Sequence, residues 1–289
     1  MKNAIVSFIF KCFGCLSLGA ARACGHFLGA CLWLIKGRSY GITLRNVNKC
    51  FPEFSEQQAQ CFIRESLIET AKTFVEAGAI WGNSWSWLSA KIVAVEGEDI
   101  LRAELAEGKG LLVLAPHIGN WEVVGPYIAT IAPLTVLYQP LALPVLNHLI
   151  FSGRSKLNIS LAPTNTRGVA MLLKALRRGD IVGILPDQVP DKGSGAEPVF
   201  FFGHPAMTMS LVHALIERTQ CRVVSAIAVR IEEGFKVVFL PVAVEIYSQN
   251  KSESLLGLNL SVEACVRLAP TQYQWEYSRF RSLPLHLRG

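Results

Sequence analysis

The sequence predicts an α/β protein: a mostly parallel sheet covered by helices, preceded by an N-terminal membrane-associated helical segment. Three observations carry this. From about residue 92 onward, short continuous apolar runs alternate with segments of helical spacing, the pattern of strands buried on both faces. Residues 4–35 form a strongly apolar run broken only by Lys11, Arg22 and His26. Hydrophobic residues make up 51% of the 289 and charged residues 17%, against about 25% charged in a typical soluble domain. That composition excludes a disordered chain, and a mean hydropathy of +0.34 lies between freely soluble and polytopic membrane proteins.

The N-terminal segment, residues 1–35, is set apart by its charge. From Met1 to Pro52 there are seven basic residues (Lys2, Lys11, Arg22, Lys36, Arg38, Arg45, Lys49) and no Asp or Glu, while the whole chain carries a formal charge of +6. The remainder is therefore nearly neutral, and no nucleic acid partner is expected, since a phosphate-binding face needs clustered basic residues on the folded body. An unbroken span needs about 20 apolar residues, which this run does not reach cleanly. Two arrangements fit: a tilted transmembrane helix with snorkelling basic residues, or a helix lying in the headgroup layer. Lys36, Arg38, Arg45 and Lys49 follow the run, and the positive-inside tendency puts them and the body at the cytoplasmic face. The run is too long for a cleavable signal peptide. Cys12 and Cys15 form a C-x-x-C among Gly and Ala; without a polar outer shell they read as helix-packing residues in a reducing compartment, and no metal is expected.

Residues 36–91 are expected to form a helical segment packed on the core. Ser55-Glu56-Gln57-Gln58 matches a capping box, and Ile63, Leu67, Ala71, Phe74 and Val75 follow at helical spacing, which predicts a helix over about 55–80. Trp81, Trp85 and Trp87 then suit either interfacial anchoring or ordinary packing at a helix end. In the α/β body, residues 92–289, predicted strands are Leu111–Ala115, Thr135–Tyr138, Ile159–Leu161, Ile181–Leu185, Val223–Arg230 and Phe235–Leu240. Predicted helices are Trp121–Thr130, Leu143–Phe151, Gly168–Arg177 and Ser210–Thr219.

In such sheets chemistry sits at the carboxyl ends of strands. Directly after the LLVLA strand comes Ala115-Pro116-His117-Ile118-Gly119-Asn120-Trp121-Glu122. Positions five apart on a helix are rotated by about 140°, so His117 or Glu122 has to lie on the non-helical lead-in, where Gly119 gives backbone freedom. Histidine is the natural general base near neutral pH, and a carboxylate can orient its ring. Gly37-Arg38-Ser39-Tyr40-Gly41 matches G-x-S-x-G by chance, because no strand precedes it. The chain has no P-loop, H-E-x-x-H or G-x-G-x-x-G. Without a convincing Ser or Cys nucleophile, direct transfer to a bound acceptor is expected.

The H-x4-E of APHIGNWE resembles the H-x4-D/E acyltransferase motif, and its context is similar to the lipid A biosynthesis (lauroyl/myristoyl) acyltransferase family of Gram-negative bacteria. Further blocks agree in order: Tyr138-Gln139-Pro140 and the helix to Arg154 and Lys156, Arg167-Gly168-Val169, Leu173 to Gly179, Gly183 to Gln188, Phe201 to Ala206 with Thr208, and Gln272 to Phe280. The resemblance spans most of 40–289. It implies acyl transfer from acyl carrier protein to a hydroxyl of a lipid A precursor at the cytoplasmic face of the inner membrane. The donor arrives on phosphopantetheine, and no resident cofactor is implied. His117 becomes the general base and Glu122 its orienting carboxylate. Arg154 is placed on a phosphate of the lipid or of the phosphopantetheine arm, with Lys156 assisting. Asp187 orients Arg154 or the acceptor sugar, and Asn120 joins the substrate-binding candidates. Two departures stand out: Gly195 to Gly203 differs from the family's G-V-F-x-P-F-F-G, and the N-terminal run is interrupted and Cys-rich. The same chemistry on another lipid acceptor (a lysophospholipid, aminolipid or secondary-metabolite lipid) and a non-catalytic membrane scaffold are the competing expectations.

Overall fold

A computed structural model describes residues 2–140, 147, 159–190 and 195–281. The N-terminal run folds as two helices, α1 (Lys2–Gly14) and α2 (Leu18–Ile35). The break falls at Cys15–Ser17, where the Ser17 hydroxyl accepts the Ala20 N–H and caps α2. Helices α3 (Arg38–Cys50), α4 (Glu56–Gly82) and α5 (Trp85–Ser89) follow. The capping box is present: Ser55 Oγ accepts the Gln58 N–H at 3.3 Å and Gln58 Oε1 accepts the Ser55 N–H at 2.8 Å.

α2 is long and apolar enough to cross a membrane, with 18 residues of mean hydropathy 1.4. It also lies along α4, and glycines make the approach possible. A Cβ on Gly25 would sit 2.5 Å from Lys72 Cα, and one on Gly29 2.3 Å from Ile68 Cα. α1 meets α4 at Gly78 in the same way, while Phe10 stacks on Trp81 with ring centroids 5.6 Å apart. Trp81, Trp85 and Trp87 all pack against the main core, so helix-end packing is the arrangement the tryptophans adopt.

The body is built on a seven-stranded sheet. Its strands are β1 (Ile92–Glu96), β2 (Leu111–Leu114), β3 (Leu134–Tyr138), β4 (Ser160–Pro163), β5 (Ile181–Ile184), β8 (Arg222–Ile231) and β9 (Gly234–Pro241), while β6 (Ala196–Phe201) and β7 (His204–Met209) form a separate antiparallel hairpin. The sheet order is β1-β9-β8-β2-β5-β3-β4, with every neighbouring pair parallel except β8 and β9. Alternate residues of β2 enter opposite cores. Leu111 and Val113 pack with Leu101 of α6 (Glu98–Ala106) and with Val124 and Ile128 of α7 (Val124–Ile128). Leu112 and Leu114 pack with residues of α8 (Thr166–Arg177), α9 (Leu211–Thr219) and α10 (Lys251–Leu268). That two-sided burial is why these strands read as continuous apolar runs.

The six predicted strands and the helices near 55–80, 168–177 and 210–219 are all present, with ends shifted by a residue or two. The predicted helix over Trp121–Thr130 is divided into a 3-10 turn, Trp121–Val123, and α7. Pro126, with no N–H to donate, sits in the first turn of α7, where none is needed. β1, α3, α6, α10 and the β6–β7 hairpin go beyond the expectation. The departure noted at Gly195–Gly203 is this hairpin, closed by Phe202 and Gly203 at φ 48° and 72°. The predicted helix Leu143–Phe151 lies, apart from Asn147, outside the described residues.

Candidate active site

β2 and β5 are parallel neighbours with Leu114 opposite Ile184. Three residues beyond each lie His117 and Asp187, so equal offsets from one register bring the two side chains together. Asp187 takes two hydrogen bonds from His117: the backbone N–H donates to Oδ2 at 3.0 Å, and ring Nδ1 lies 2.8 Å from Oδ1. Both residues are buried, His117 being 8% exposed and Asp187 3%.

Burial alone would push the Asp187 carboxyl up, but the charge of His117 and the hydrogen bonds from its ring and backbone outweigh that and hold it below the usual range. An ionised carboxylate only accepts, so Nδ1 carries a proton, and when the ring is neutral Nε2 presents a lone pair. Gln188 Nε2 stands 3.2 Å from that Nε2 and donates to Gln274 Oε1 at 3.0 Å. The two hydrogens of one amide thus meet two acceptors. The Trp121 ring closes the site edge-on to the imidazole, centroids 4.6 Å apart.

This corrects the expected pairing of His117 with Glu122. His117 lies on the lead-in and Glu122 in the 3-10 turn, as the helical offset required. Between them Gly119 turns the chain at φ 59°. His117 addresses the end of β5, whereas the Glu122 carboxylate accepts from Trp81 Nε1 of α4 at 2.9 Å. The position tolerates no side chain: a Cβ on Gly119 would be 2.1 Å from the Ala228 carbonyl oxygen. Asp187, expected to orient Arg154 or the acceptor sugar, is bound to the ring and backbone of His117. Asn120, expected on the substrate, is fully buried; its Nδ2 donates to Glu76 Oε2 at 3.0 Å and its N–H to Ala228 O. Arg154 and Lys156 lie outside the described residues.

The loop after β2 is gripped from two sides. The C-terminal segment holds it through Gly119 N–H to Gln272 O at 2.9 Å and Gln274 N–H to His117 O at 3.0 Å. On α4, the Thr73 hydroxyl donates to Gly119 O at 2.7 Å. Beneath lies a buried ion cluster that the sequence reading did not assign. Glu76, with no exposed surface, receives Arg230 through Nε and a terminal nitrogen, and Arg22 Nε at 2.8 Å. Burial would raise the Glu76 carboxyl, but Arg230 and the hydrogen bonds of Arg230, Asn120 and Arg22 hold it below its ordinary value. The signals were present as lone charges in apolar surroundings: Glu76 between Val75 and Ala77, and Arg230 ending VVSAIAV.

Next to Glu122 opens an apolar pocket lined by Val113, Trp121, Gly125, Leu134, Val136 and Gly183, among others. An imidazole nitrogen that meets an amide donor, with Trp121 between the ring and an apolar slot, is an arrangement suited to a polar group next to a hydrocarbon chain. The model of the bacterial lipid A biosynthesis acyltransferases matches residues 3–282. The chain belongs to that family. The acyltransferase is 25% identical over 268 residues to a lipid A biosynthesis palmitoleoyltransferase of Escherichia coli K12, covering 90% of this chain and 85% of the relative. It is 25% identical over 248 residues to a lipid A biosynthesis lauroyltransferase of the same organism, covering 84% and 79%. With a lipid A biosynthesis acyltransferase of Haemophilus influenzae it shares 23% over 287 residues, covering 96% and 89%. The match takes in α1 and α2 as well as the body, so the N-terminal helices are part of the family's common architecture.

Proposed function

We propose that this acyltransferase moves a fatty acyl chain from the thioester of acyl carrier protein to a hydroxyl of a lipid A precursor at the cytoplasmic face of the inner membrane. The observation that carries the reading is the His117–Asp187 pair at the ends of adjacent parallel strands, beside an apolar pocket, in a chain of this family. The names of the relatives support the acceptor. The outward side of the N-terminal helices supports the location: Phe27, Leu34 and Ile35 are 67%, 68% and 73% exposed, with Phe8 of α1 and Phe74 of α4 also bare. An apolar helix face of this kind is suited to a bilayer interface.

The reaction runs as a direct transfer. The acceptor hydroxyl takes the place of the Gln188 amide at His117 Nε2 and gives up its proton there as its oxygen attacks the thioester carbonyl. Asp187 keeps the proton on Nδ1 and stabilises the imidazolium that forms. The tetrahedral intermediate collapses by breaking the C–S bond, and the departing phosphopantetheine thiolate takes the proton from Nε2. The Gln188 amide, displaced but still within the site, donates to the developing oxyanion. The pocket beside Glu122 receives the acyl chain, and Glu122 sits at its polar mouth. Arg154 and Lys156 keep the phosphate-binding role that the family resemblance gives them.

The test incubates the detergent-solubilised protein, beside its His117→Ala variant, with a panel of acyl carrier protein thioesters and either a lipid A precursor or lysophospholipids. Products are read by mass spectrometry. A His117-dependent gain of one acyl chain on the lipid A precursor is the expected result. Transfer to lysophospholipids alone overturns the acceptor, and transfer that survives His117→Ala overturns the mechanism.

A further inference from the structure

Helix α4 stands between the N-terminal helices and the loop that carries His117, and it touches both through polar groups as well as packing. Toward the loop, Thr73 donates to Gly119 O, Glu76 accepts from Asn120, and Trp81 donates to Glu122. These are three attachments within the stretch from 119 to 122. Toward α2, the other oxygen of Glu76 accepts from Arg22. The remaining Arg22 nitrogens donate to the carbonyls of Ile231, Glu232 and Gly234 at 2.6–2.9 Å, which ties α2 to the β8–β9 turn. The guanidinium also lies 5.3 Å over the Phe235 ring.

A basic residue in an apolar helix is thus inserted into the body of the enzyme, where it completes the ligation of a carboxylate that has no contact with solvent. Such a carboxylate is held in place by its full set of donors. Without Arg22, the Oε1 side of Glu76 loses a charged partner and the cluster has to rearrange around Arg230, which also bonds Glu69 and Thr73. Two side chains link that cluster to the catalytic loop: Asn120, which follows His117 by three residues and donates to Glu76, and Thr73, which accepts from Arg230 and donates to Gly119 O.

We infer that Arg22 and Glu76 are positioning residues for His117, so that docking of α2 on the body is a condition for acyl transfer and not only a means of anchoring. This rests on the reading of His117 as the general base. The chain runs Arg22 to Glu76 to Asn120, and through Gly119 and Asn120 to the turn that aims the imidazole.

The experiment uses the full-length, detergent-solubilised protein and its Arg22→Gln, Arg22→Lys, Asn120→Ala and Arg22→Gln/Asn120→Ala variants, each checked for a cooperative thermal transition. Hydrogen–deuterium exchange of the peptide covering residues 115–124 needs no substrate, so it separates failure of this inference from failure of the acyltransfer reading. Arg22→Gln is expected to speed exchange in that peptide about tenfold. It should lower kcat by about 10–100-fold, the range that a displacement of about 1 Å can cause, with KM for the acyl donor within about twofold. Arg22→Lys, which keeps the charge, recovers part of both. In the Asn120→Ala background, Arg22→Gln costs less than it does in the parent, because one of the two links from the cluster is already cut. Unchanged exchange at 115–124 overturns the inference whatever happens to kcat. So do rate losses that multiply in the double variant, or a lost thermal transition in Arg22→Gln that Arg22→Lys restores without slowing exchange in the loop.

Discussion

Asp187→Asn replaces one acceptor oxygen by a donor in a place where two donors converge. The carboxylate accepts both the backbone N–H of His117 and its ring Nδ1–H, whereas an amide offers one acceptor and one donor group. If the amide oxygen keeps the ring, the buried backbone N–H of His117 faces an NH2, at about 1–3 kcal/mol for a lost buried partner. If the oxygen keeps the backbone, Nδ1 becomes the acceptor and the proton moves to Nε2, leaving no lone pair for the acceptor hydroxyl. The equivalent tautomer error in a serine protease triad costs about 10⁴ in kcat. The expected loss is therefore about 10²–10⁴-fold, or about 3–5.5 kcal/mol at 1.36 kcal/mol per decade. Single-turnover transfer from a saturating acyl carrier protein thioester, quantified by mass spectrometry, isolates the chemical step. A variant that stays folded and transfers within about threefold of the parent, with Glu122→Gln carrying the loss instead, would refute the assignment of Asp187 as the orienting carboxylate.

Other expectations follow from neighbouring features. Gly119→Ala has to place a Cβ at φ 59° and 2.1 Å from a backbone oxygen, so urea unfolding should show a loss of about 2–5 kcal/mol; less than about 1 kcal/mol would mean that the loop is free to move. The Asp187 and Glu76 carboxyls are held below their ordinary values. The stability they contribute is therefore complete above the normal carboxylate range and is lost as pH falls through the lower folded values. Glu276, whose carboxyl burial pushes up, works in the opposite sense. Thermal midpoints should accordingly fall between pH 5 and pH 3, and the gap between the parent and Asp187→Asn should narrow over that interval; a constant gap would contradict the linkage. Gly183 lines the apolar pocket, and a Cβ there would stand 3.0 Å from Val136 Cγ1. Gly183→Val should shift donor preference toward shorter acyl chains by about tenfold in competition assays, since each methylene is worth about 1–3 kcal/mol.

The sequence exposed the strands because two-sided burial leaves uninterrupted apolar runs, and it exposed His117 because a histidine directly after such a run stands at the reactive edge of the sheet. It did not expose the partner. His117 and Asp187 are 70 residues apart, and β3, β4 and α8 intervene before the chain returns to place β5 beside β2. Strand order is a tertiary property, so a carboxylate five positions away looked closer than one that the fold makes adjacent. Glu76 and Arg230, 154 residues apart, were hidden for the same reason: each alone is a polar residue in an apolar segment, and only the fold shows that the two neutralise one another. α3 and α10 escaped because polar residues lie on their buried faces and blur the apolar stripe, Thr43 and Asn46 in the first and Ser254, Asn259 and Ser261 in the second. β1 escaped because half of it is exposed and its pattern breaks the continuous-run signature.

The ligation of Arg22 also sets an order of events during synthesis. The carbonyls it binds belong to residues 209–212 positions downstream. At about 5–20 residues per second, the ribosome needs about 10–40 seconds to supply them after Arg22 has been made. Until then Arg22 lacks its carbonyl acceptors and has only Glu76, 54 positions downstream, to pair with, a state that a membrane surface can accept more readily than water can. The nascent chain thus has time to meet a lipid surface before it closes its ion cluster, which makes completion of the catalytic loop a late step of maturation.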